Sequence, residues 1–321
     1  MITIKRFQSV SEIYANFSVT NPFQRIWYLD IFIKHFCTVE NIFLLGLFSG
    51  EECIGYGAFE KIDNKAIFLG MKPVLNGQEV TDYGDIVLDP SHQNNHKEVW
   101  DEILKWFSQN GIQSLQLDYV REDSQIYELF KDRATEQTVA PYITLPKNWD
   151  EYLESLDRID RKELKRKFRR LETISYAYRS IDKPTQNDFE EFVRLHKLSS
   201  GEKDEFMSDA MRQFFWELIT AEKKEWKVNL CFLQIDKKNT STLLSFENNL
   251  SILGYNSGYD PSSNYYSVGF LLHAFKIKEA IEQGKTIYDF MRGTERYKYD
   301  LGGNDMNLYR IEIPLPRITI S

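Results

Sequence analysis

The stretch DPSSNYYSVGFLLHAFKIKEAIEQG, residues 260–284, decides the fold because an earlier part of the chain repeats its plan. It reads as an Asp-Pro-Ser loop, a helix with one apolar stripe, and a glycine suited to a helix C-terminus. Residues 89–111, DPSHQNNHKEVWDEILKWFSQNG, show the same order over nearly the same length. Predicted strands flank both helices, at 81–88, 114–119, 250–259 and 286–291. The sequence therefore predicts two copies of one unit.

The predicted fold class is α/β, of the α+β type with mixed sheets. Two domains are expected, at residues 1–145 and 146–321, with Pro141 and Pro146 punctuating the join. Further helices are predicted at 12–17, 23–36 and 150–172, and further strands at 42–48, 53–61 and 66–71.

The overall composition limits the classes of function. The chain has 321 residues, a net charge of −8 and three widely spaced cysteines. An acidic chain is not typical of nucleic-acid binders, so no DNA partner is expected. The cysteines form no zinc motif, and His92 and His96 lack nearby acidic or cysteine ligands, so no metal is expected. No run approaches the ~18 apolar residues of a membrane span, which favours a cytoplasmic protein. The oligomeric state stays open.

The start of the second helix is a candidate phosphate site. Ser267 is placed to cap this helix, and the amides of residues 268–270 would point outward, as at other helix N-termini that bind phosphate. Gly269 would let a ligand approach the backbone, whereas the loop at 91–96 has no glycine. The alternative is an ordinary capped helix in which Gly269 serves close packing.

The segment TIYDFMRGTERYKYDLGG, residues 286–303, carries more charge than a core strand accepts. Asp289 and Glu295 are candidate bases, and Arg292 and Lys298 could hold an anion. The first copy has Gln116 in the place of Asp289. The alternative is a salt-bridge cluster that braces the C-terminal strands.

Eight basic and only two acidic side chains lie between Arg158 and Arg170. In an otherwise acidic chain, this run could attract a nucleotide-sugar, a lipid phosphate, a membrane surface or RNA. The alternative is the solvated face of an amphipathic helix.

Several stretches resemble known proteins: residues 81–90 (TDYGDIVLDP), 141–172, 194–208 and 255–303. The pattern Asp-Phe-Met-Arg-Gly at 289–293, followed by Glu295, Tyr297 and Lys298, is the most specific. Together they resemble the CelD-type or BioF2-like acetyltransferases of the GNAT superfamily, over nearly the whole chain. The usual Arg/Gln-x-x-Gly-x-Gly/Ala fingerprint is not preserved, and only Gly269 of it is convincing.

The resemblance implies two tandem GNAT folds, related to Fem-type transferases. In such folds a mixed sheet splays at a central strand, acyl-CoA lies in the opening, and its pyrophosphate meets the following turn, here 263–269. The implied reaction is direct transfer from acetyl-CoA, or another acyl-CoA, to an amine or hydroxyl, without a metal. The acceptor would be a neutral or anionic small molecule or saccharide, in polysaccharide or cell-envelope metabolism.

The resemblance also assigns residue roles, all of them in the second domain; the first is expected to lack a coenzyme site. The coenzyme would contact Asn256, Ser257, Gly258, Ser267, Val268 and Gly269. Asp289 or Glu295 would act as the base and Tyr259 as the acid. The acceptor would contact Arg292, Tyr297 and Lys298.

Two alternatives to this enzyme remain. One is a Fem-type transferase that uses aminoacyl-tRNA and a peptidoglycan precursor, with the basic helix meeting RNA; the absence of a long inserted coiled-coil arm argues against it. The other is an inactive GNAT-like binding or scaffold protein. Outside the Fem-type alternative, the transferred group is expected to be an acyl group other than an aminoacyl group.

Overall fold

A computed structural model of the protein describes residues 1–13, 17, 21–74, 77, 79–199, 205–223 and 225–316. The chain divides into two compact units: unit 1, Met1–Thr138 with Asn307–Ser321, and unit 2, Val139–Met306. The predicted division at residue 145 did not include the return of the chain to unit 1. Strand pairing depends on non-local contacts, so the sequence of a strand does not predict which strands it pairs with.

Unit 1 is built on a mixed sheet with the strand order β1-β2-β3-β4-β6-β13, and β5 pairs with β3. Among the described pairs of this unit, only β4 and β6 run parallel, from Lys65 beside Ser114 to Ile67 beside Gln116. The strands are β1 (Ile2–Phe7), β2 (Ile42–Ser49), β3 (Glu52–Ile62), β4 (Lys65–Phe68), β5 (Val87–Leu88), β6 (Ser114–Arg121) and β13 (Asn304–Pro314), which pairs with β6 from Leu308 onward. The helices are α1 (Ile26–Phe36), α2 (His96–Gln109) and α3 (Gln125–Phe130).

Unit 2 has the strand order β7-β12-β11-β10-β9-β8. Here the parallel pair is β11 and β12, from Ser251 beside Ile287 to Leu253 beside Asp289. The strands are β7 (Ala134–Thr144, which enters from unit 1), β8 (Tyr176–Ile181), β9 (Lys227–Ile235), β10 (Lys238–Glu247), β11 (Ser251–Tyr259) and β12 (Ile287–Asp289). The helices are α4 (Trp149–Ser155), α5 (Arg158–Leu171), α6 (Gln186–Leu198), α7 (Asp209–Thr220), α8 (Val268–Glu282) and α9 (Arg296–Asp300).

The repeated sequence plan appears in both units as the same local structure. In each unit an aspartate opens a 3-10 turn: Asp89 accepts from the Ser91 N–H at 2.8 Å, and Asp260 accepts from the Ser262 N–H at 2.9 Å. Each turn leads into a helix, α2 or α8, that connects the two parallel strands. The two units therefore share an internal topology as well as a motif.

Three predicted elements differ from the structure. The helix expected at 150–172 is two helices, because Leu156 adopts an extended conformation that turns its side chain into the core. The strand expected at 81–88 is reduced to β5. The strand expected at 286–291 ends at Asp289, since Met291 has a left-handed φ of 63°.

Two further findings concern the first predicted helix and the length of the helices. Of the helix expected at 12–17, Glu12 ends a 3-10 turn, Val10–Glu12, and residues 14–16 lie outside the described residues. None of the helices in the described ranges is long and apolar enough to cross a membrane.

Candidate active site

An opening forms in unit 2 where β11 and β12 separate. The last parallel pair joins Leu253 to Asp289, where β12 ends. β11 continues to Tyr259, paired with β10 on its other edge. Beyond Leu253 the edge of β11 that faces away from β10 is therefore no longer covered by β12, and a ligand could take its place.

A β-bulge in β11 lies at this opening. Leu244 pairs with Asn256 and Ser245 with Gly254, so Tyr255 is an extra residue in β11. A bulge interrupts the ladder and redirects the neighbouring side chains and backbone groups. It falls two residues after the last pair with β12 and directly before Asn256, Ser257 and Gly258, three of the predicted coenzyme contacts.

Gly258 is required by packing. A Cβ on Gly258 would lie 2.5 Å from both Cα and N of His196, so the backbone of α6 rests directly on β11. This contact brings His196 to Asn256, with 2.7 Å between Nε2 and Oδ1. Ser199, also beside α6, accepts from the Tyr259 N–H at 2.7 Å. Neither His196 nor Ser199 was among the predicted site residues, because only tertiary packing places α6 here.

The start of α8 differs in detail from the predicted cap. Ser267 occupies the N-cap position, but its φ is 54° and its side chain makes no capping hydrogen bond. The expected side-chain cap is therefore wrong, and a left-handed turn delivers the chain into the helix instead. The Val268 carbonyl accepts from the Ser241 hydroxyl at 3.0 Å, which ties this turn to β10. The first-turn N–H groups of a helix have no acceptor within it, so they stay available to an anion.

Gly269 is not required by packing in the way that Gly258 is. A Cβ at this position would meet the Tyr259 ring at 3.4 Å, an ordinary van der Waals contact. The backbone of Gly269 is helical, so strain does not demand glycine either. Both observations favour a ligand-related reason for glycine, and they place Tyr259 next to the start of α8.

Asp289 is buried at the end of β12 and shapes the turn that follows. One of its carboxylate oxygens accepts from the Met291 N–H at 2.7 Å, across the left-handed Met291. Gly254, just beyond the last β11–β12 pair, lies close by, since a Cβ there would be 3.7 Å from the Asp289 carbonyl. Asp289 therefore sits at the point where the two strands part.

Lys298 holds the loop after β12 together. Its side chain is 2% exposed, and its ammonium donates to the carbonyls of Met291, Arg292 and Gly293 at 3.0, 2.7 and 3.2 Å. It also pairs with Glu295 at 2.9 Å. In this conformation the ammonium is fully engaged by the protein, which matches the bracing alternative for Lys298. Its predicted contact with the acceptor stays a prediction.

The remaining predicted acceptor residues flank this loop. The Tyr297 ring lies 4.9 Å from that of His273, and burial raises the pKa of Tyr297 above its usual value. His273 in turn shares a 2.8 Å hydrogen bond with the Tyr288 hydroxyl and is buried. Arg292 is half-buried in the same loop. His273 was not among the predicted site residues, although it lies beside Tyr297.

The basic helix α5 reaches the turn before α8. Arg170 donates to the Tyr265 carbonyl at 2.6 Å and covers the Tyr265 ring at 4.6 Å. The Lys167 ammonium lies 5.0 Å from the Phe270 ring, in the first turn of α8. The C-terminal end of α5 thus adds positive charge beside the amides where an anion was predicted.

Part of the chain matches the model of a known protein family. Residues 159–299, from α5 into α9, match the family model of the acetyltransferase (GNAT) domain. The matched segment is similar to a GNAT domain, spans less than half of the chain and includes every predicted site residue. It does not distinguish the CelD-type or BioF2-like subtype, which stays a prediction. No curated protein matches the chain.

Solved structures extend the likeness to the whole fold. FemX is similar with a TM-score of 0.63 at 12% identity, over 92% of this chain and 93% of its own. The C-terminal domain of a putative lysylphosphatidylglycerol synthetase from Agrobacterium fabrum gives 0.57 at 9% identity, over 89% and 86%. A tandem GNAT protein from the clavulanic acid biosynthesis pathway gives 0.50 at 9% identity, over 98% of both chains. The predicted fold class, mixed α/β with tandem GNAT-like folds, is confirmed.

Proposed function

We propose that unit 2 transfers an acetyl or similar acyl group from acyl-CoA to an amine or hydroxyl. The observation that carries this proposal is the opening beyond Leu253, where β11 keeps β10 and loses β12. A pantetheine chain carries amide groups that can hydrogen-bond to a vacated strand edge. Its thioester would lie beside the bulge at Tyr255. The acceptor, by resemblance, is a saccharide or other small molecule.

The coenzyme pyrophosphate belongs at the start of α8 in this proposal. First-turn amides and the helix dipole favour an anion there, and Gly269 allows close approach. Lys167 and Arg170 supply further positive charge at the same turn. Asn256, Ser257 and Gly258 would contact the acyl-pantetheine part through the β11 backbone.

The proposed chemistry is a direct transfer with proton transfer at both ends. Asp289 removes the proton from the acceptor nitrogen or oxygen, which attacks the thioester carbonyl carbon. A β11 N–H at the bulge stabilises the oxyanion as the new bond forms and the C–S bond breaks. Tyr259 returns a proton to the leaving thiolate. We favour Asp289 over Glu295 because Asp289 lies where β11 and β12 part, whereas Glu295 lies in the following loop and pairs with Lys298.

Substitution of Gly269 by alanine tests the coenzyme site. Alanine forms helices better than glycine and meets only an ordinary contact here, so Gly269→Ala should stabilise the protein by about 0.5–1 kcal/mol. The same methyl should obstruct the pyrophosphate and raise the KM for acetyl-CoA by roughly tenfold. Urea unfolding and steady-state kinetics with an amino-sugar panel measure the two effects. An unchanged KM would remove Gly269 from the coenzyme site.

Substitution of the two carboxylates tests the base. Asp289→Asn should lower kcat by roughly 10²–10⁴, the usual contribution of a general base. Glu295→Gln, a matched change in the same loop, should leave kcat within a few-fold. Full activity in Asp289→Asn would show the base assignment to be wrong.

The second candidate is an aminoacyl-tRNA-dependent transferase. The FemX likeness over nearly the whole chain and the basic helix α5 favour it, although no described helix exceeds the 15 residues of α8. Calorimetry with acetyl-CoA and with tRNA separates the two. Acetyl-CoA binding supports acyl-CoA transfer, strongly salt-dependent tRNA binding supports the alternative, and binding of neither supports an inactive scaffold.

A further inference from the structure

Unit 1 contains a cavity of about 550 Å³ along the sheet face that α2 does not cover. It opens where β4 and β6 part, after Ile67 and Gln116. Strand alternation directs Leu115 and Leu117 into the core under α2, and Gln116 and Asp118 to the cavity. The volume lies within the roughly 300–1,000 Å³ of small-molecule sites.

The wall of this cavity contains a distorted strand. Tyr309 pairs with Val120 and Ile311 with Leu117, so Asp118 and Tyr119 together oppose Arg310. Tyr119 has a left-handed φ of 55°, which a bulky residue in a strand rarely adopts. Strain of this kind persists where the surroundings enforce it and concentrates at ligand sites. Here it turns the Tyr119 side chain and Asp118 toward the same space.

The polar groups of the wall hold one another in fixed positions. The Tyr119 hydroxyl donates to Glu79 at 2.6 Å, and the Tyr119 N–H donates to the Gln137 side chain at 3.1 Å. Asp118 accepts from Arg310 at 2.5 Å and from the Gln116 amide at 2.8 Å. Such a network presents donors and acceptors in a defined arrangement, without first having to be ordered by a ligand.

The charges of the lining balance. Three acidic side chains face three basic ones, and four side-chain amides lie among them: Asp63, Glu79, Asp118; Lys65, Lys72, Arg310; Asn64, Gln113, Gln116, Gln137. A phosphate-bearing ligand would gain no net attraction from this set. A ligand whose groups both donate and accept hydrogen bonds would match it, and hydroxyl groups do both.

We propose that this groove of unit 1 binds a neutral, hydroxyl-rich ligand, a saccharide of about two rings. Tyr119 and Gln116 are the central binding residues. The proposal concerns binding alone and does not depend on acyl transfer by unit 2.

Calorimetry on the full chain, without coenzyme, tests this proposal with N,N′-diacetylchitobiose, cellobiose and maltose. At least one should bind with a Kd below about 10 mM, and with little dependence on salt because the ligand carries no charge. Gln116→Leu and Tyr119→Phe should each weaken that binding at least tenfold. Tyr127→Phe, a tyrosine of unit 1 whose ring stacks on Tyr309 outside the groove, should leave it unchanged.

The contrary results are distinct from those that test acyl transfer. Absence of binding for all three sugars, or equal binding by wild type and both groove variants, would overturn the proposal. So would a weakening in Tyr127→Phe equal to that in Tyr119→Phe. Thermal unfolding confirms that each variant is folded, and Gln116→Leu suffices on its own if Tyr119→Phe is unstable.

Discussion

Glycines 258 and 269 show what the sequence can and cannot reveal about single residues. Both were predicted to lie in the coenzyme site, Gly269 first from its place at the start of a helix. The structure gives Gly258 a packing reason, the contact with α6, and gives Gly269 none. Glycine therefore has a packing role at 258 and none at 269. Only the position of α6 in the folded protein distinguishes the two cases.

Lys298 gives a testable case of a charged residue that stabilises a loop. Lys298→Ala should leave three carbonyls and Glu295 without their donor at a buried position, and should lower the free energy of unfolding by about 3 kcal/mol. Glu295→Gln, whose side chain is 58% exposed, should cost less than about 1 kcal/mol. Urea unfolding measures both. A Lys298→Ala variant of native stability with a raised acceptor KM would instead identify Lys298 as an acceptor contact.

At the scale of elements, α8 contributes an ion network as well as the candidate phosphate site. Lys276 is fully buried and pairs with Glu247 at 2.5 Å and with Glu279 at 3.0 Å. It also donates to the Asn229 side chain at 2.9 Å, on β9. This network anchors the middle of α8 to the sheet, so that the helix start is held over the end of β11.

Removal of the Lys276 charge should destabilise unit 2. Lys276→Met leaves Glu247 buried without its nearest cation and should cost about 3–5 kcal/mol. Lys278 lies on the same helix, but its side chain is half-exposed and forms a long ion pair of 4.0 Å with Glu282. Lys278→Met should therefore lower the free energy of unfolding by less than about 0.5 kcal/mol. Similar values for the two variants, measured by urea unfolding, would deny the network a role in holding α8.

The same network sets a dependence on pH. Burial alone would raise the pKa of Glu279, but the Lys276 ammonium together with hydrogen bonds from Tyr178 and Ser180 outweighs burial and lowers that pKa below its ordinary value. A carboxylate whose pKa is lower in the folded than in the unfolded state stabilises the fold at pH values above its ordinary pKa. This stabilisation is lost as the pH falls through the folded-state pKa. Wild type should therefore lose stability below about pH 4.5, more steeply than Lys276→Met. Parallel curves from unfolding at a series of pH values would contradict this.

The repeated elements could be predicted because their signals are local. Asp-Pro-Ser turns, apolar stripes and terminal glycines lie within single segments, and α2 and α8 both lie inside the predicted repeats at 89–111 and 260–284. The break at Leu156 and the shortening of the strand at 81–88 were missed. No proline or glycine marks the break at Leu156, where burial of an apolar side chain overrides helical periodicity. The single glycine within 81–88, Gly84, does not by itself predict where the strand begins.

At the scale of the whole molecule, the two units have the same topology but differ in the side chains at the ends of their parallel strands. The last parallel pair ends on Gln116 in unit 1 and on Asp289 in unit 2, as the sequence alignment of the copies predicted. Unit 2 has Gly269 and basic side chains at its helix start, whereas unit 1 has a charge-balanced groove. The sequence predicted the difference at the proposed coenzyme site. It did not predict the groove, because β13 contributes Arg310 from the far end of the chain.

Hydrogen–deuterium exchange with and without acetyl-CoA tests the central claim, that the β11–β12 opening of unit 2 binds an acyl-CoA. The account predicts slower exchange of the amides at 254–259 and 268–270 when acetyl-CoA is present. The equivalent amides of unit 1, at the start of α2, should exchange at an unchanged rate. Protection confined to unit 1, or no protection at saturating acetyl-CoA, would contradict the account.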